Sequence, residues 1–151
     1  MIKVKIRKTN TFNILKDKWE VTKTPSRATK GSAGYDLYLP DNTDLYPGMS
    51  TLIPLSFSAK IPEGYYASVV PRSSLGLKGI TVANSPATID SDYIGQWHIA
   101  LWNHTNQVVN LKEGDRIGQV IFLKCEDVEW IEVEELEETD RGSGGFGSTG
   151  K

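Results

Sequence analysis

Cysteine, histidine and long apolar runs are scarce in this 151-residue sequence, and each scarcity excludes a class of protein. The single cysteine, Cys125, rules out a disulfide within the chain and a cysteine-rich zinc site. The two histidines, His98 and His104, lack the spacing of zinc ligands, so we expect them on the surface or at an interface. The apolar runs, such as 120–123, are far too short to cross a bilayer.

An excess of charge of one sign is also missing, since 17 basic residues stand against 19 acidic ones. No basic stripe or arginine-rich helix is present, so stable binding to a nucleic acid is not expected. Apolar and basic residues alternate over residues 2–7, which predicts a strand and not a signal peptide. Together with the lone cysteine, this composition predicts a cytoplasmic or otherwise intracellular protein, nuclear in a eukaryotic host, without a membrane segment.

Short strands separated by turn residues are abundant in the chain. In the clearest of them Trp97, Ile99 and Leu101 share one face and alternate with polar neighbours, a period of two. Strands are predicted over 2–7, 35–39, 51–58, 65–70, 79–83, 94–103, 107–111, 117–124 and 128–133. The pattern predicts an all-β single domain, a β-sandwich or distorted jelly roll over 1–135, followed by a linker and flexible lid over 136–151.

The C-terminal tail has an unusual composition. Residues 132–138 are acidic and form either one helical turn or a solvated linker. Residues 141–150 contain five glycines, which cannot hold a fixed shape unaided. They also supply Arg141, the single ring of Phe146 and the hydroxyls of Ser148 and Thr149. These groups suit closure over a planar base and its phosphates, and a frayed terminus is the alternative.

The loop 71–76, Pro-Arg-Ser-Ser-Leu-Gly, directly follows an apolar strand. The guanidinium of Arg72 matches phosphate oxygens with two parallel hydrogen bonds, and Ser73 and Ser74 add hydroxyl donors. The loop therefore predicts a phosphate site, with a surface turn and a solvated arginine as the alternative.

The segment 84–95 predicts a hairpin around a Ser-Pro turn. The backbone on its inner edge can hydrogen-bond the edge of a base as a paired strand would. Asp90 lies just past the turn, where a carboxylate can accept a proton from water. An aspartate-capped turn with Tyr93 in the core is the competing interpretation.

Two further segments carry charged residues near predicted strands. Asp36, flanked by strand residues, faces either a metal or a salt bridge. Arg116 follows a Gly-Asp turn and, taken alone, is an ordinary residue at the start of a strand.

In this order and over essentially the whole chain, the segments resemble the five motifs of the trimeric dUTP nucleotidohydrolases, or dUTPases. The first motif is similar to Ala33-Gly34-Tyr35-Asp36-Leu37, and the second to 71–76. The third is similar to 84–95, the fourth to 114–119 and the fifth to 141–150.

The sequence departs from the family pattern at three positions. Ala87 stands where a hairpin glycine is usual, which predicts a reshaped or stiffer turn. Ser74 replaces a commoner glycine, and Ile94 takes a position often filled by arginine or another polar residue. None of these changes removes a group that the chemistry needs.

The resemblance implies hydrolysis of dUTP to dUMP and pyrophosphate, which supplies dUMP and keeps uracil out of DNA. Asp90 would orient and deprotonate the water that attacks the α-phosphorus. Asp36 would hold Mg²⁺ indirectly, through a coordinated water.

The resemblance also implies three sets of substrate-binding residues. The phosphates would meet Arg72, Ser73, Ser74 and Gln119, with Arg116 in support. Uracil and deoxyribose would meet Asn84, Thr88, Ile89, Tyr93 and His98. The closing tail would supply Arg141, Phe146, Gly147, Ser148 and Thr149.

A homotrimer with sites shared between subunits is the assembly that the resemblance implies. Such interfaces would account for Trp97, Trp102 and Trp130 in a small domain, although core packing accounts for them equally well.

Two rival functions come from neighbouring classes. A dCTP deaminase needs a glutamate on the strand after the hairpin, where this chain has Ala100, so deaminase activity is not expected. A non-catalytic nucleotide-binding or protein-binding module would be expected to lack Asp90 or the tail, and both are present.

Overall fold

The computed structural model describes residues 1–9, 11–13, 18–20 and 23–145 as an antiparallel β-structure with a single helical turn. The elements are β1 (Lys5–Lys8), β2 (Thr11–Asn13), β3 (Lys18–Glu20), β4 (Tyr35–Tyr38), β5 (Thr43–Leu45), β6 (Ser50–Lys60), β7 (Tyr65–Val70), α1 (Ser73–Gly76), β8 (Ile80–Val82), β9 (Ala87–Ile89), β10 (Gln96–Asn103), β11 (Val109–Leu111) and β12 (Arg116–Lys124). No helix in these ranges is long and apolar enough to span a membrane.

Two four-stranded sheets form the body of the molecule, in the orders β1-β6-β10-β8 and β4-β12-β7-β9. Apolar side chains from both sheets share one buried core. In β10 the predicted alternation holds, since Trp97, Ile99 and Leu101 are buried while His98 and Trp102 are exposed. The predicted all-β sandwich is confirmed.

The chain leaves the sandwich after β12 as an acidic arm, residues 126–140. The strand predicted over 128–133 is wrong, because no described element supplies the backbone partners that a strand requires. Of the two predictions for 132–138, the helical turn is wrong, and the residues of this segment are exposed. Large apolar side chains of the arm also lie in solvent, with Trp130 92 % and Leu136 87 % exposed.

Candidate functional site

The sheet β4-β12-β7-β9 brings four sequence motifs together. Asp36 on β4 lies opposite Gln119 on β12, and Gln119 lies opposite Val70, the last residue of β7. The second motif starts directly after Val70, so the first, second and fourth motifs meet at one end of the sheet. The third motif enters through β9, which pairs with the other edge of β7.

Asp36 and two arginines form the centre of this end of the sheet. The Oδ1 atom of Asp36 lies 2.9 Å from Nε of Arg72, and its Oδ2 atom lies 3.3 Å from an Nη atom of Arg116. Asp36 is only 8 % exposed, whereas both guanidinium groups reach solvent. Of the two sequence predictions for Asp36, the salt bridge is what the structure contains.

The loop that carries Arg72 is held by its neighbours. Gln119 donates from Nε2 to the carbonyl of Pro71 at 3.1 Å, and Arg72 donates to Oγ of Ser74 at 3.4 Å. The hydroxyl residues Ser73 and Ser74 are exposed in the helical turn α1. We call the set Asp36, Arg72, Ser73, Ser74, Arg116 and Gln119 the anion end.

A cleft of about 300 Å³ opens between the β9 hairpin and β10. It contains every residue that was predicted to meet the base and sugar, together with the predicted catalytic aspartate. These residues are Asn84, Thr88, Ile89, Asp90, Tyr93 and His98. Apolar walls come from Val69, Val82 and Ile99. We call this site the base cleft.

Tyr93 stands over the base cleft and is not part of the core, since 45 % of it is exposed. Its hydroxyl donates to the carbonyl of Gln96 at 2.8 Å. The ring folds over Gly95, where an added Cβ atom would lie 2.5 Å from the tyrosine oxygen. The interpretation of Tyr93 as core filler is therefore wrong.

If Tyr93 packs under deoxyribose, as the resemblance to the dUTPases implies, replacing it with alanine should raise activity on UTP relative to dUTP, because the ring would exclude a 2′-hydroxyl. The measurement is kcat/KM for both nucleotides. An unchanged ratio would show that this ring does not select the sugar.

His98 shares the carbonyl of Gln96, with its Nδ1 atom at 2.9 Å. A carbonyl only accepts, so Nδ1 carries the proton and Nε2 of the neutral ring is an acceptor. His104 is stacked against Trp102 with ring centroids 4.1 Å apart. Both histidines are exposed, as predicted.

The base cleft and the anion end of one chain are far apart. Ile89 pairs with Ala67 near the start of β7, and Asp90 follows it, whereas Arg72 lies beyond the last residue of that strand. Arg72 lies five positions along the chain from Ala67, which at about 3.3 Å per residue is roughly 16 Å. A single chain therefore does not bring Asp90 to the predicted phosphate-binding residues.

In the described residues, the tail contacts neither the base cleft nor the anion end. Arg141 is exposed in a turn, where its Nε atom donates to the carbonyl of Gly144 at 3.0 Å. The other predicted tail residues, Phe146, Gly147, Ser148 and Thr149, lie outside the described residues.

Two supporting glycines were missed by reasoning from the sequence. An added Cβ atom at Gly34 would lie 2.3 Å from Oε1 of Gln119, so the absence of a side chain leaves room for that glutamine. Gly95 does the same for Tyr93. Both glycines stand in the motif segments, next to the residues whose roles were predicted, and that position was the available signal.

The chain is similar to known proteins over most of its length. A family model described as dUTPase matches residues 20–150. The deoxyuridine 5'-triphosphate nucleotidohydrolase of Nautilia profundicola is 42% identical over 151 residues, which cover 99% of this chain and 100% of that protein.

Solved structures agree in fold. A variant of the dUTPase of Staphylococcus bacteriophage 80alpha, solved with dUpNHpp, has a TM-score of 0.83 at 22% identity and 99% coverage of both chains. A variant dUTPase from phage phi11 of S. aureus, described with a structural Mg(II) ion, has a TM-score of 0.73 at 21% identity, covering 90% of this chain and 99% of that one. With a family model over most of the sequence and a relative similar from end to end, the chain belongs to the dUTPase family of enzymes.

Proposed function

We propose that this protein is an intracellular dUTP diphosphatase, which hydrolyses dUTP to dUMP and pyrophosphate, supplies dUMP and keeps uracil out of DNA. The observation that carries the proposal is the base cleft, where Asn84, Asp90 and Tyr93 line one space of about 300 Å³. The family membership and the dUTP nucleotidohydrolase name of the relative support it.

The base cleft would select uracil by its hydrogen-bonding edge. Asn84, Thr88 and Ile89 line the cleft, and polar groups of the amide side chain and of the backbone would reject a base whose pattern leaves them unpaired. Cytosine presents an amino donor where uracil presents a carbonyl. The methyl group of thymine would meet the apolar wall.

Asp90 would act as the general base. Asp90 lines the cleft and is exposed, so its carboxylate could hold a water molecule against the substrate. The water oxygen forms a bond to the α-phosphorus and its proton passes to Asp90. The bond from the α-phosphorus to the bridging oxygen breaks, and pyrophosphate leaves with the electron pair. Positioning contributes more than basicity for an aspartate at neutral pH.

The anion end would bind the triphosphate. Arg72 supplies a planar fork, Ser73 and Ser74 supply hydroxyls, and Gln119 fixes the loop through Pro71. Donors aimed at the bridging oxygen stabilise the charge that grows on the leaving group. Arg116 adds a second cation beside Asp36.

Magnesium belongs to the proposal as an ion that arrives with the triphosphate. The described residues contain no group of three or more His, Cys, Asp or Glu side chains able to hold Mg²⁺ directly, so the protein would hold the ion indirectly, through Asp36 and a coordinated water. Both oxygens of Asp36 are paired with arginines, and each keeps a second lone pair that can accept a hydrogen bond from that water. Mg²⁺ keeps several waters and is commonly bound through substrate phosphates, whose charge it neutralises.

The active assembly would be a homotrimer in which the base cleft of one chain faces the anion end of another. The separation of Asp90 from Arg72 along β7 supports this, because the two halves lie at opposite ends of that strand. Exposed apolar side chains also support it, among them Leu52 at 67 % and Trp130 at 92 %.

The tail, as part of a linker and lid over 136–151, would close over the bound nucleotide. Phe146 would stack on uracil, while Arg141, Gly147, Ser148 and Thr149 would meet the phosphates and exclude water.

Deleting residues 141–151 should leave a stable assembly with very poor catalysis, because a glycine-rich tail buries little surface in the free protein. Melting temperature and steady-state kinetics measure the two effects. A large loss of thermal stability would show instead that the tail is structural packing.

The activity itself is tested by measuring pyrophosphate and ammonia release from dUTP, dCTP and dTTP side by side. We expect pyrophosphate from dUTP and no ammonia from dCTP, since Ala100 offers no acid on the strand after the hairpin. Ammonia from dCTP would favour the deaminase. Binding of dUTP without either product would favour a non-catalytic module.

A further inference from the structure

We propose that the imidazole of His98 is a positioning residue for the ring of Tyr93, and that through this ring it sets how strictly the base cleft rejects a ribose. The two side chains are coupled because both donate to the carbonyl oxygen of Gln96. The inference rests on the proposed function, since it concerns how the base cleft selects its sugar.

The carbonyl oxygen of Gln96 is the point at which the two rings meet. The hydroxyl of Tyr93 donates to it at 2.8 Å, and the Nδ1–H group of His98 donates to it at 2.9 Å. A carbonyl oxygen has two lone pairs, so it can accept both hydrogen bonds at once. The edge of the imidazole therefore lies beside the tip of the phenol.

The ring of Tyr93 depends on this contact because it is only partly packed. One of its sides lies against Gly95, where an added Cβ atom would be 2.5 Å from the hydroxyl oxygen and 2.9 Å from a ring carbon. The residue is 45 % exposed, so close packing does not enclose the ring as it encloses a core side chain. The hydrogen bond at the tip is therefore a large part of what holds the ring over the cleft.

An irregularity of the sheet lies between the two residues that share the hydrogen bond. Gln96 pairs with Ser58 of β6, but His98 pairs with Pro54, so the register shifts between them. The extra residues of β6 include Ser56, which is buried and has a φ of 54°, a left-handed conformation that is uncommon away from glycine. Bulges are frequent beside active sites, where they redirect neighbouring groups. The hydrogen bond from His98 spans this break and ties Gln96 to the regular part of β10.

The consequence concerns the sugar, because Tyr93 and His98 both line the base cleft. If Tyr93 packs under deoxyribose, a small rotation of its ring would make room for a 2′-hydroxyl. Without the imidazole, the carbonyl of Gln96 loses one of its two side-chain donors and the tip of the phenol loses its neighbour. The rejection of ribose should then weaken.

Replacing His98 with leucine and with asparagine tests the inference. Leucine keeps bulk without a donor, whereas asparagine carries an N–H group as many bonds from the backbone as Nδ1. We expect the leucine variant to raise the ratio of kcat/KM for UTP to that for dUTP roughly 2- to 10-fold, the range for the loss of one hydrogen bond. The asparagine variant should stay near the parent ratio.

His104→Leu is the matched control, since this exposed histidine is stacked against Trp102 and does not line the cleft. Its ratio should equal that of the parent. An unchanged ratio in His98→Leu, or an equal rise in the leucine and asparagine variants, would overturn the inference.

A Tyr93→Ala background shows whether His98 acts through the tyrosine. In that background His98→Leu should change the ratio no further, because the ring that it positions is gone. Equal effects in the presence and absence of the ring would contradict the inference, since His98 would then act on the sugar by itself.

Failure of the proposed function gives a different result. The affinities for dUpNHpp and for its ribonucleotide counterpart give the same ratio without turnover, so they test His98 even if the parent does not hydrolyse dUTP. A parent that binds dUpNHpp without hydrolysing dUTP would refute the proposed activity alone. Melting temperatures verify that the variants fold, and His98→Ala, with the same expected rise, replaces a leucine variant that does not.

Discussion

Asp90→Asn should lower the turnover of dUTP by about 10²–10⁴-fold, the usual contribution of a positioned general base. The substitution keeps the shape of the side chain and removes the acceptor for the proton of water. Asp90 is exposed at the end of the β9 hairpin, so neither its charge nor its packing stabilises the core. The affinity for dUpNHpp and the melting temperature should stay close to the parent values.

Asp92→Asn is a matched control for this experiment. Asp92 is an exposed carboxylate two residues further along, and it does not line the base cleft. It should retain nearly full turnover. If Asp90→Asn also stayed within a few-fold of the parent, the assignment of Asp90 as the general base would be wrong.

Two inactive variants, Asp90→Asn and Arg72→Ala, should regain activity when they assemble together. The first chain keeps an intact anion end and the second keeps an intact base cleft. If each site combines halves from neighbouring chains, a random equal mixture in a cyclic trimer restores roughly a quarter of the sites. Steady-state turnover after co-refolding measures the fraction, and mass spectrometry verifies the mixed trimers.

A second mixture is the control for shared sites. Asn84 and Asp90 line the same base cleft, so Asn84→Ala combined with Asp90→Asn places both defects in the same half of the site. That mixture should show no gain over the separate variants. If the mixture of Asp90→Asn and Arg72→Ala chains formed verified mixed trimers but showed only background activity, the shared site would be refuted.

Local patterns in the sequence predict the sandwich, and the resemblance to the dUTPases implies the residues of the base cleft. The alternation of Trp97, Ile99 and Leu101 depends only on neighbouring residues, and the structure follows it. The same holds for the hairpin, whose polar and charged residues lie within twelve consecutive positions of the sequence. These features could be predicted because the forces that set them act over a few residues.

Contacts set by the order of strands could not be predicted from such patterns. The sequence left two possible partners for Asp36, a metal and a salt bridge. It could not decide between them, because Arg72 and Arg116 approach Asp36 only when β4, β12 and β7 lie side by side. The segment 128–133 has the composition of a strand, but composition does not supply a partner. The distance between Asp90 and Arg72 likewise follows from the register of β7 and β9.

The acidic arm behaves as a short polyelectrolyte. Its nine carboxylates, with no basic residue among them, are Glu126, Asp127, Glu129, Glu132, Glu134, Glu135, Glu137, Glu138 and Asp140. Chains of this kind repel themselves and extend, and 15 residues at about 3.3 Å each reach roughly 50 Å. That reach is several times the radius of gyration of about 14 Å expected for the rest of the chain. Because the repulsion is screened beyond about 8 Å at physiological ionic strength, dissolved salt as well as chain length determines how far the glycine-rich tail is carried.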